Sequence, residues 1–382
     1  MAEHRKIRVD LRKNRSKPPR DKSWTRDFAG DDKQDYSSGE RIRAKGDLSR
    51  KRTIITEQPV TNEASKTPDI FMPVVDLSSC LAGRVIRVHG LQNIVMTDDG
   101  SEYSCTVRRL LRSLSIDERN VVTTGDRVWF RPAANNEGAI EKVEPRYGLL
   151  TRKSWKREHV LVSNVDQIVI VAALAEPYLK PHLVDRYLVA ASMGQLKPII
   201  CFNKADLVDP ADYQTILGMY AQLGVPAILT SANTGQGLDD LRDQLRDRQT
   251  VFSGQSGVGK TSLLNVIEPG LELRVRTISE MNQKGRHTTT TAELIRLSAG
   301  GWVVDTPGIR QFDLWNVISE QLDGHFPEFR PFVASCGYPG CSHLREENCA
   351  VRQAVDEGWI DPQRYYSYRG IHEHKDVPEI EE

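Results

Sequence analysis

Gly254-Gln255-Ser256-Gly257-Val258-Gly259-Lys260-Thr261 fits GxxxxGK[ST], the pattern of a phosphate-binding P-loop. Thr250-Val251-Phe252 before it reads as a buried strand, and Ser262-Leu263-Leu264-Asn265-Val266-Ile267 after it reads as an amphipathic helix. The motif needs that context. Glycines let backbone N–H groups curl round phosphates, and the N-terminus of the following helix favours their negative charge. Lys260 is placed to reach the outer phosphates, which makes it a catalytic candidate, and the Thr261 hydroxyl is placed to ligate Mg²⁺. Gly254 through Thr261, with Ser262, are the candidate phosphate contacts. On pattern alone, a glycine-rich turn followed by a chance Lys-Thr gives the same string.

Working outward, three further motifs each follow an apolar run. Asn203-Lys204-Ala205-Asp206 matches NKxD. A carboxylate there can accept from both N1–H and the exocyclic amine of guanine, a donor pair that adenine lacks. Ser231-Ala232-Asn233 resembles the SA[KL] loop whose backbone reads the guanine oxygen, with Asn233 a departure in third place. Asp305-Thr306-Pro307-Gly308 fits DxxG, in which Asp305 holds Mg²⁺ through water and the Gly308 N–H meets the γ-phosphate. Lys284-Gly285-Arg286-His287-Thr288-Thr289-Thr290 lies between P-loop and DxxG, where a switch loop supplies a threonine to the metal; Thr289 is the candidate. Singly, NKAD also reads as a helix N-cap, DTPG as a turn and HTTT as a polar loop. Together they predict guanine-nucleotide binding and GTP hydrolysis.

Their order is unusual. A Ras-like GTPase runs P-loop, switch threonine, DxxG, NKxD, SAK, whereas here NKAD and SAN precede the P-loop. That is a circular permutation, and it leaves the segment after DTPG leading into whatever lies C-terminal. Ras-like enzymes place a water-orienting Gln after DxxG; this chain has Ile309, which cannot orient water. His287 is the candidate substitute. Contact with RNA or solvent is the equal alternative for that residue.

The 382 residues exceed one ordinary domain. Lys plus Arg and Asp plus Glu both total 52, a zero balance that hides a basic N-terminal arm: Arg5, Lys6, Arg8, Arg12, Lys13, Arg15, Lys17, Arg20, Lys22 and Arg26 face only Glu3, Asp10 and Asp21. Such an arm either meets a polyanion or is a solvated tail. Residues 1–78 read as a basic, mostly disordered extension. From 79 to 148, five short alternating runs, from Gly83–Val88 to Gly138–Val143, predict a small all-β barrel of the OB-fold type. Arg84, Arg87, Arg108, Arg109, Arg112, Arg127 and Arg131 give it a basic surface that suits a phosphate backbone or simply solvates the barrel. Residues 149–324 alternate apolar β runs with helical stretches, an α/β P-loop domain. In 325–382, Cys336-x4-Cys341-x-His343-x5-Cys349 offers three thiolates and an imidazole, a set that suits one structural, tetrahedral Zn²⁺; free cysteines and a redox pair are the alternatives. His325, His372 and His374 read as surface residues. Residues 352–373 read as helical, carrying Arg352, Arg364 and Arg369 on an RNA-compatible face that continues to Lys375. No apolar run approaches the roughly 18 residues of a membrane span, and no secretory signal is read at the N-terminus. With the clustered cysteines, this predicts a cytoplasmic protein with no membrane partner.

Permuted order, upstream barrel and C-terminal Cys-Cys-His-Cys together resemble the RsgA (YjeQ) family of small-ribosomal-subunit maturation GTPases, over about residues 79 to 370. NKAD before GQSGVGKT, the GRHTTT loop, DTPGI and C-x4-C-x-H-x5-C carry the resemblance. It implies three domains: an OB-fold barrel, a circularly permuted GTPase domain and a small, mostly helical zinc domain. It implies GTP and GDP with Mg²⁺ as ligands, one Zn²⁺, and the small subunit and its rRNA as partners, with a monomer expected. Hydrolysis stimulated by the subunit would drive release late in its assembly. An apolar residue after DxxG is shared by the family, so Ile309 is no sign of a dead enzyme. The rival readings are a GTP-dependent RNA tether or assembly factor whose hydrolysis is incidental, and an ATP-using P-loop protein.

Overall fold

The structure is a computed structural model that describes residues 4–10, 51–57, 75–108, 111, 121–154, 157–271, 292–305 and 322–373. These fall into two compact units, one holding most of the barrel strands as far as Pro145 and one holding Ile86–Val88, Thr123–Gly125 and the chain from Arg146 onward.

In the N-terminal extension the structure differs from the expectation of disorder at two places. Strand β1 (His4–Asp10) pairs antiparallel with β2 (Lys51–Glu57), with Ile7 opposite Ile54 and Lys6 opposite Ile55. Both strands carry β-branched residues (Ile7, Val9, Thr53 to Thr56), a local strand preference that the surrounding charge obscures in sequence.

The first unit closes a barrel from β3 (Leu81–His89), β4 (Gln92–Met96), β5 (Glu102–Val107), β6 (Arg127–Pro132) and β7 (Glu137–Val143). The strand order is β3-β4-β5-β7-β6, and β6 pairs back to β3. Closure leaves no free sheet edge, which a small all-β unit otherwise has to protect. Alternation supplies the core: Val85, Val95, Cys105, Val128, Phe130, Ile140 and Val143 are all buried. Two of the arginines read as a basic surface are engaged from within, because Arg108 and Arg131 lie 2.7 and 3.7 Å from the buried Glu141 carboxylate. Arg109 and Arg112 lie outside the described residues.

The second unit begins with a hairpin that the sequence did not announce, β8 (Leu150–Ser154) against β9 (Arg157–Val162). Its charged stretch, Arg152 to Glu158, lacks the apolar alternation that marks a half-buried strand. A sheet follows, built from β10 (Gln167–Ala173), β11 (Lys197–Asn203), β12 (Ala227–Leu229), β13 (Gln249–Ser253), β14 (Glu293–Arg296) and β15 (Trp302–Asp305). The order is β12-β11-β10-β13-β15-β14, parallel except for β14. β10 is buried at every position, as a central parallel strand covered on both faces must be. Val169, Val171 and Ala173, with Ile199, Cys201, Phe252 and Val303, form one face of the core.

Four helices cover the sheet: α1 (Pro181–Met193), α2 (Gln214–Gln222), α3 (Leu238–Leu245) and α4 (Lys260–Ile267). The predicted helix from Ala211 starts as a 3-10 turn at Pro210–Tyr213 before α2. In α3 only Leu238, Leu241 and Leu245 are buried, at i, i+3 and i+7, while Asp239, Asp240 and Asp243 face water. Leu263, Leu264 and Ile267 of α4 join the same core. On the other face Phe202 meets Tyr220 of α2, ring centroids 6.0 Å apart.

After residue 322 come three short helices, α5 (Arg330–Val333), α6 (Ala350–Asp356) and α7 (Pro362–His372). The single helical stretch read over 352–373 is thus two helices. Gly358, at φ +80, turns the chain, and Pro362 starts α7 at a position where its missing N–H costs nothing. Phe326, Phe329, Val351, Ile360, Tyr368 and Ile371 form a core that includes Val189 of α1. Arg364 departs from its RNA-facing reading. It is 2 % exposed and bonds Asp185 of α1 at 2.5 Å and Glu328 at 2.7 Å, with its guanidinium 4.6 Å above the Phe326 ring. Burial works against the Arg364 charge, but Asp185 and then Glu328 more than offset it and hold the guanidinium protonated. Arg352 and Arg369 are exposed as expected; Lys375 and His374 lie outside the described residues. His325 and His372 are half-buried rather than on the surface: His325 Nδ1 is 2.9 Å from Ser192 Oγ, and the His372 ring lies 6.0 Å from Tyr368. Among the described residues no helix is long and apolar enough to cross a membrane.

Candidate functional site

Four of the parallel strands end on the motifs. From β10 the chain winds outward to β11 and β12, then returns to the other side of β10 as β13. The crevice between β10 and β13 is therefore a topological switch point, the place where an open α/β sheet binds ligands beyond its carboxyl ends. NKAD follows β11, SAN follows β12, the P-loop follows β13, and Asp305 ends β15 one residue past the Val251–Val304 pair. Permuting the chain leaves this edge intact, because each loop depends only on its own strand.

Two P-loop glycines are required by close approach. Gly254 has φ +149, and a Cβ there would lie 2.1 Å from the Val171 carbonyl oxygen of β10. Gly259 has φ +91, and a Cβ would lie 2.3 Å from Asn203 Nδ2. A side chain at either position would push the loop off the neighbouring strand. Val258 is buried and anchors the loop, whereas Gln255, Ser256 and Gly257 are half-buried. No side chain caps α4, which starts directly after Gly259 at the end of the loop. Lys260 curls back, and its Nζ donates to Gly254 O at 2.8 Å and Gln255 O at 2.7 Å. Thr261 and Ser262 are half-buried at the start of α4.

NKAD is tied to this loop. Asn203 Nδ2 donates to Val258 O at 2.8 Å, and Thr230 Oγ1 donates to Asn203 Oδ1 at 3.3 Å. Asn203 is buried and clamps P-loop and NKAD together. Lys204 sits at φ +62, with its ammonium on the Glu176 carbonyl. Ala205 is buried and its N–H donates to Thr230 O, which leaves the Asp206 side chain exposed beyond it. The Ser231 hydroxyl and then the Asn233 amide hold the Asp206 carboxyl below its ordinary value. Asn233 Nδ2 reaches Asp206 Oδ2 at 3.1 Å. Sequence reading flagged Asn233 only as a departure, and Thr230 not at all. His287, Thr288, Thr289, Thr290, Gly308 and Ile309 lie outside the described residues, as does the Asp305 side chain.

The second cluster is Cys336, Cys341, His343 and Cys349, whose ligating atoms all lie within 4.8 Å of one another. His343 Nδ1 is 3.5 Å from Cys336 Sγ and 3.4 Å from Cys349 Sγ. A tetrahedral ion with Zn–S near 2.3 Å and Zn–N near 2.0 Å sets adjacent S and N about 3.5 Å apart, so these spacings fit. Among the described residues Nε2 of this buried ring has no hydrogen-bond partner, and the Asp323 carboxylate is 3.8 Å away. Nδ1 is thus the ring nitrogen that faces the thiols. None of the cysteines is disulfide-bonded, and burial pushes the Cys341 thiol up to about 12. The loop is organised from inside by Glu346. Its carboxylate accepts from Ser342 N and Oγ, Leu344 N and Arg345 N. Burial raises that carboxyl, but the Ser342 hydroxyl and the backbone donors outweigh it and bring it to about 2. From α7, Tyr365 and Tyr368 donate their hydroxyls to His343 O and Ser342 O. His343 itself is at φ +59, so the knuckle is held in a conformation it would not keep unsupported.

Fold and site together define a circularly permuted P-loop GTPase. Residues 143–315 match the family model described as RsgA GTPase. The small ribosomal subunit biogenesis GTPase RsgA of Chlorobaculum parvum is 40% identical over 307 residues, spanning 77% of this chain and 98% of that protein. The protein of the same name from Bacteroides fragilis is 37% identical over 78% of this chain and 97% of its own. Among solved structures, YjeQ from Thermotoga maritima superposes with a TM-score of 0.64 at 33% identity, covering 77% of this chain and 98% of that one. YloQ, described as a circularly permuted GTPase, gives 0.61 at 30% identity, covering 81% and 99%. The chain belongs to the RsgA GTPase family.

Proposed function

We propose that the chain binds GTP at the β10–β13 crevice and hydrolyses it as a switch that the small ribosomal subunit triggers late in its own maturation. The carrying observation is the convergence of NKAD, SAN and the P-loop on one sheet edge, with Asn203 bonded directly to the P-loop at Val258. In this reading Asp206 accepts from N1–H and the 2-amine of guanine, and the backbone at Ala232 reads its carbonyl oxygen. Gly254 to Ser262 cradle the phosphates with N–H groups. The Lys260 ammonium exchanges the Gly254 and Gln255 carbonyls for β- and γ-phosphate oxygens, trading neutral acceptors for charged ones. Thr261, Asp305 and Thr289 are assigned to hold Mg²⁺, which would supply neutralisation of the charge that builds between the phosphates. His287 is assigned to orient water in place of the Gln that Ile309 displaces, and Gly308 to sense the γ-phosphate. These last roles, and that of Thr289, rest on the motifs alone.

The Cys336, Cys341, His343 and Cys349 site is read as structural zinc, because four protein donors leave no open position for chemistry. The barrel is read as an OB-fold that meets rRNA, supported by its β3-β4-β5-β7-β6 closed order. The relatives' names supply the partner, and a ribosome-assembly role carries with it a cytoplasmic location.

Asp206→Asn tests the site. An amide there turns one acceptor into a donor that faces a donor of guanine, while its carbonyl and N–H suit N1–H and the 2-oxo group of xanthine. Losing charge-assisted bonds worth about 1.5–3 kcal/mol each predicts at least a ~100-fold loss of GTP affinity with a gain for XTP. Unchanged GTP affinity in a competition titration would contradict the assignment.

A further inference from the structure

We infer that Asn233 is a specificity-determining positioning residue, whose side-chain amide fixes the plane of the Asp206 carboxylate for guanine. This rests on the reading that Asp206 meets the base. The motif that the loop resembles carries Lys or Leu in third place. Leu has no donor to give, and Lys gives a mobile point charge rather than an oriented amide.

Asp206 is exposed at the tip of the loop after β11, and the terminal torsion of a carboxylate is broad and poorly held by its own rotamer. Reading two donors of one base requires two acceptor sites in one plane. An ionised carboxylate offers about four lone-pair sites. Two donors from the SAN loop act on Asp206, the Ser231 hydroxyl and the Asn233 amide, the latter on Oδ2 at 3.1 Å. The Asp206 N–H acts on the carboxylate as well, and guanine's N1–H and 2-amine take lone pairs that these donors leave.

The support is rigid from below. Ser231 is fully buried, and its hydroxyl oxygen accepts from Asn233 N at 3.2 Å and Thr234 N at 3.1 Å. Its backbone closes the turn, donating to Gln236 O at 3.1 Å and accepting from Gly235 N at 3.0 Å. The backbone of Asn233 is thereby pinned to a buried base while its amide extends to the carboxylate. The Asn233 amide and the Asp206 carboxylate are both exposed, so water competes for their bond and the expected effect is moderate.

The experiment measures equilibrium affinities of the full-length protein for GDP and for IDP, which lacks the 2-amine. Wild type is compared with Asn233→Ala, Asn233→Asp and Asp206→Asn. Asn233→Ala is expected to weaken GDP about three- to tenfold. IDP should weaken less, because it uses only one of the two aligned sites, so the GDP-to-IDP preference falls. Asn233→Asp is near-isosteric and sets a like charge beside the carboxylate, and the preference should fall further. Equal weakening of both nucleotides in Asn233→Ala assigns the residue to loop structure and overturns the proposal, as does wild-type behaviour. Asp206→Asn separates the two failures. If it abolishes the GDP preference while the Asn233 variants keep it, Asn233 alone is misassigned; if it too keeps the preference, the base reading fails with it.

Discussion

Arg364→Met is expected to lower the unfolding free energy by about 3–5 kcal/mol, the cost of leaving a buried charge without its partner. Arg364 is 2 % exposed, Asp185 is wholly buried, and Glu328 is 11 % exposed at its side chain. Methionine fills much of the volume but supplies no donor. Among the described residues Asp185 would then keep Tyr220, whose hydroxyl reaches Oδ1 at 3.0 Å, with a lesser contribution from Ser367 of α7. Urea denaturation at neutral pH reads the loss. The sign of its pH dependence follows from burial, which already dominates the Asp185 carboxyl and pushes it up. Without the guanidinium the buried carboxylate takes up a proton more readily when folded than unfolded, so the deficit should narrow as pH falls below neutrality. The double variant Asp185→Asn with Arg364→Met, which removes both charges of the closest pair, should recover part of the stability. A loss below about 1 kcal/mol in the single variant would mean that the cluster is merely tolerated rather than joining α1 to α7.

Lys260→Ala is expected to slow GTP hydrolysis by about 10²–10³-fold, the usual cost of removing one pre-placed electrostatic partner of the transition state. The Lys260 ammonium donates to the loop carbonyls of Gly254 and Gln255, and α4 is held by Leu263, Leu264 and Ile267. The melting temperature of the nucleotide-free protein should therefore stay near wild type while turnover falls. Single-turnover rates at saturating Mg·GTP, set beside a thermal melt, check both halves. A variant that hydrolyses at the wild-type rate would remove Lys260 from the site.

What could be read in advance was whatever is local. β10 and β11 are apolar runs because both their faces are covered, and each nucleotide motif is a contiguous string at the end of such a run. Cys336 to Cys349 is equally local, and its four donors meet within a few ångströms. What was not legible depends on distant partners. Arg364 looks like a surface cation on an amphipathic helix until Asp185, 179 positions earlier, is brought against it. Arg108 likewise looks free until Glu141 is folded into the barrel beneath it. The β8–β9 hairpin hides because its charges mask the period of a strand. Asn233 falls between the two cases: its oddness was visible, but its bond to Asp206 needs two loops from neighbouring strands β11 and β12.

The most direct measurement is single-turnover GTP hydrolysis by the full-length protein, alone and with purified small ribosomal subunits. A subunit-triggered switch predicts stimulation of at least ~100-fold, on the pattern of GTPases completed by a partner, and loss of that stimulation in Lys260→Ala. Binding to the subunit with no change in hydrolysis rate would contradict it and leave a GTP-dependent tether.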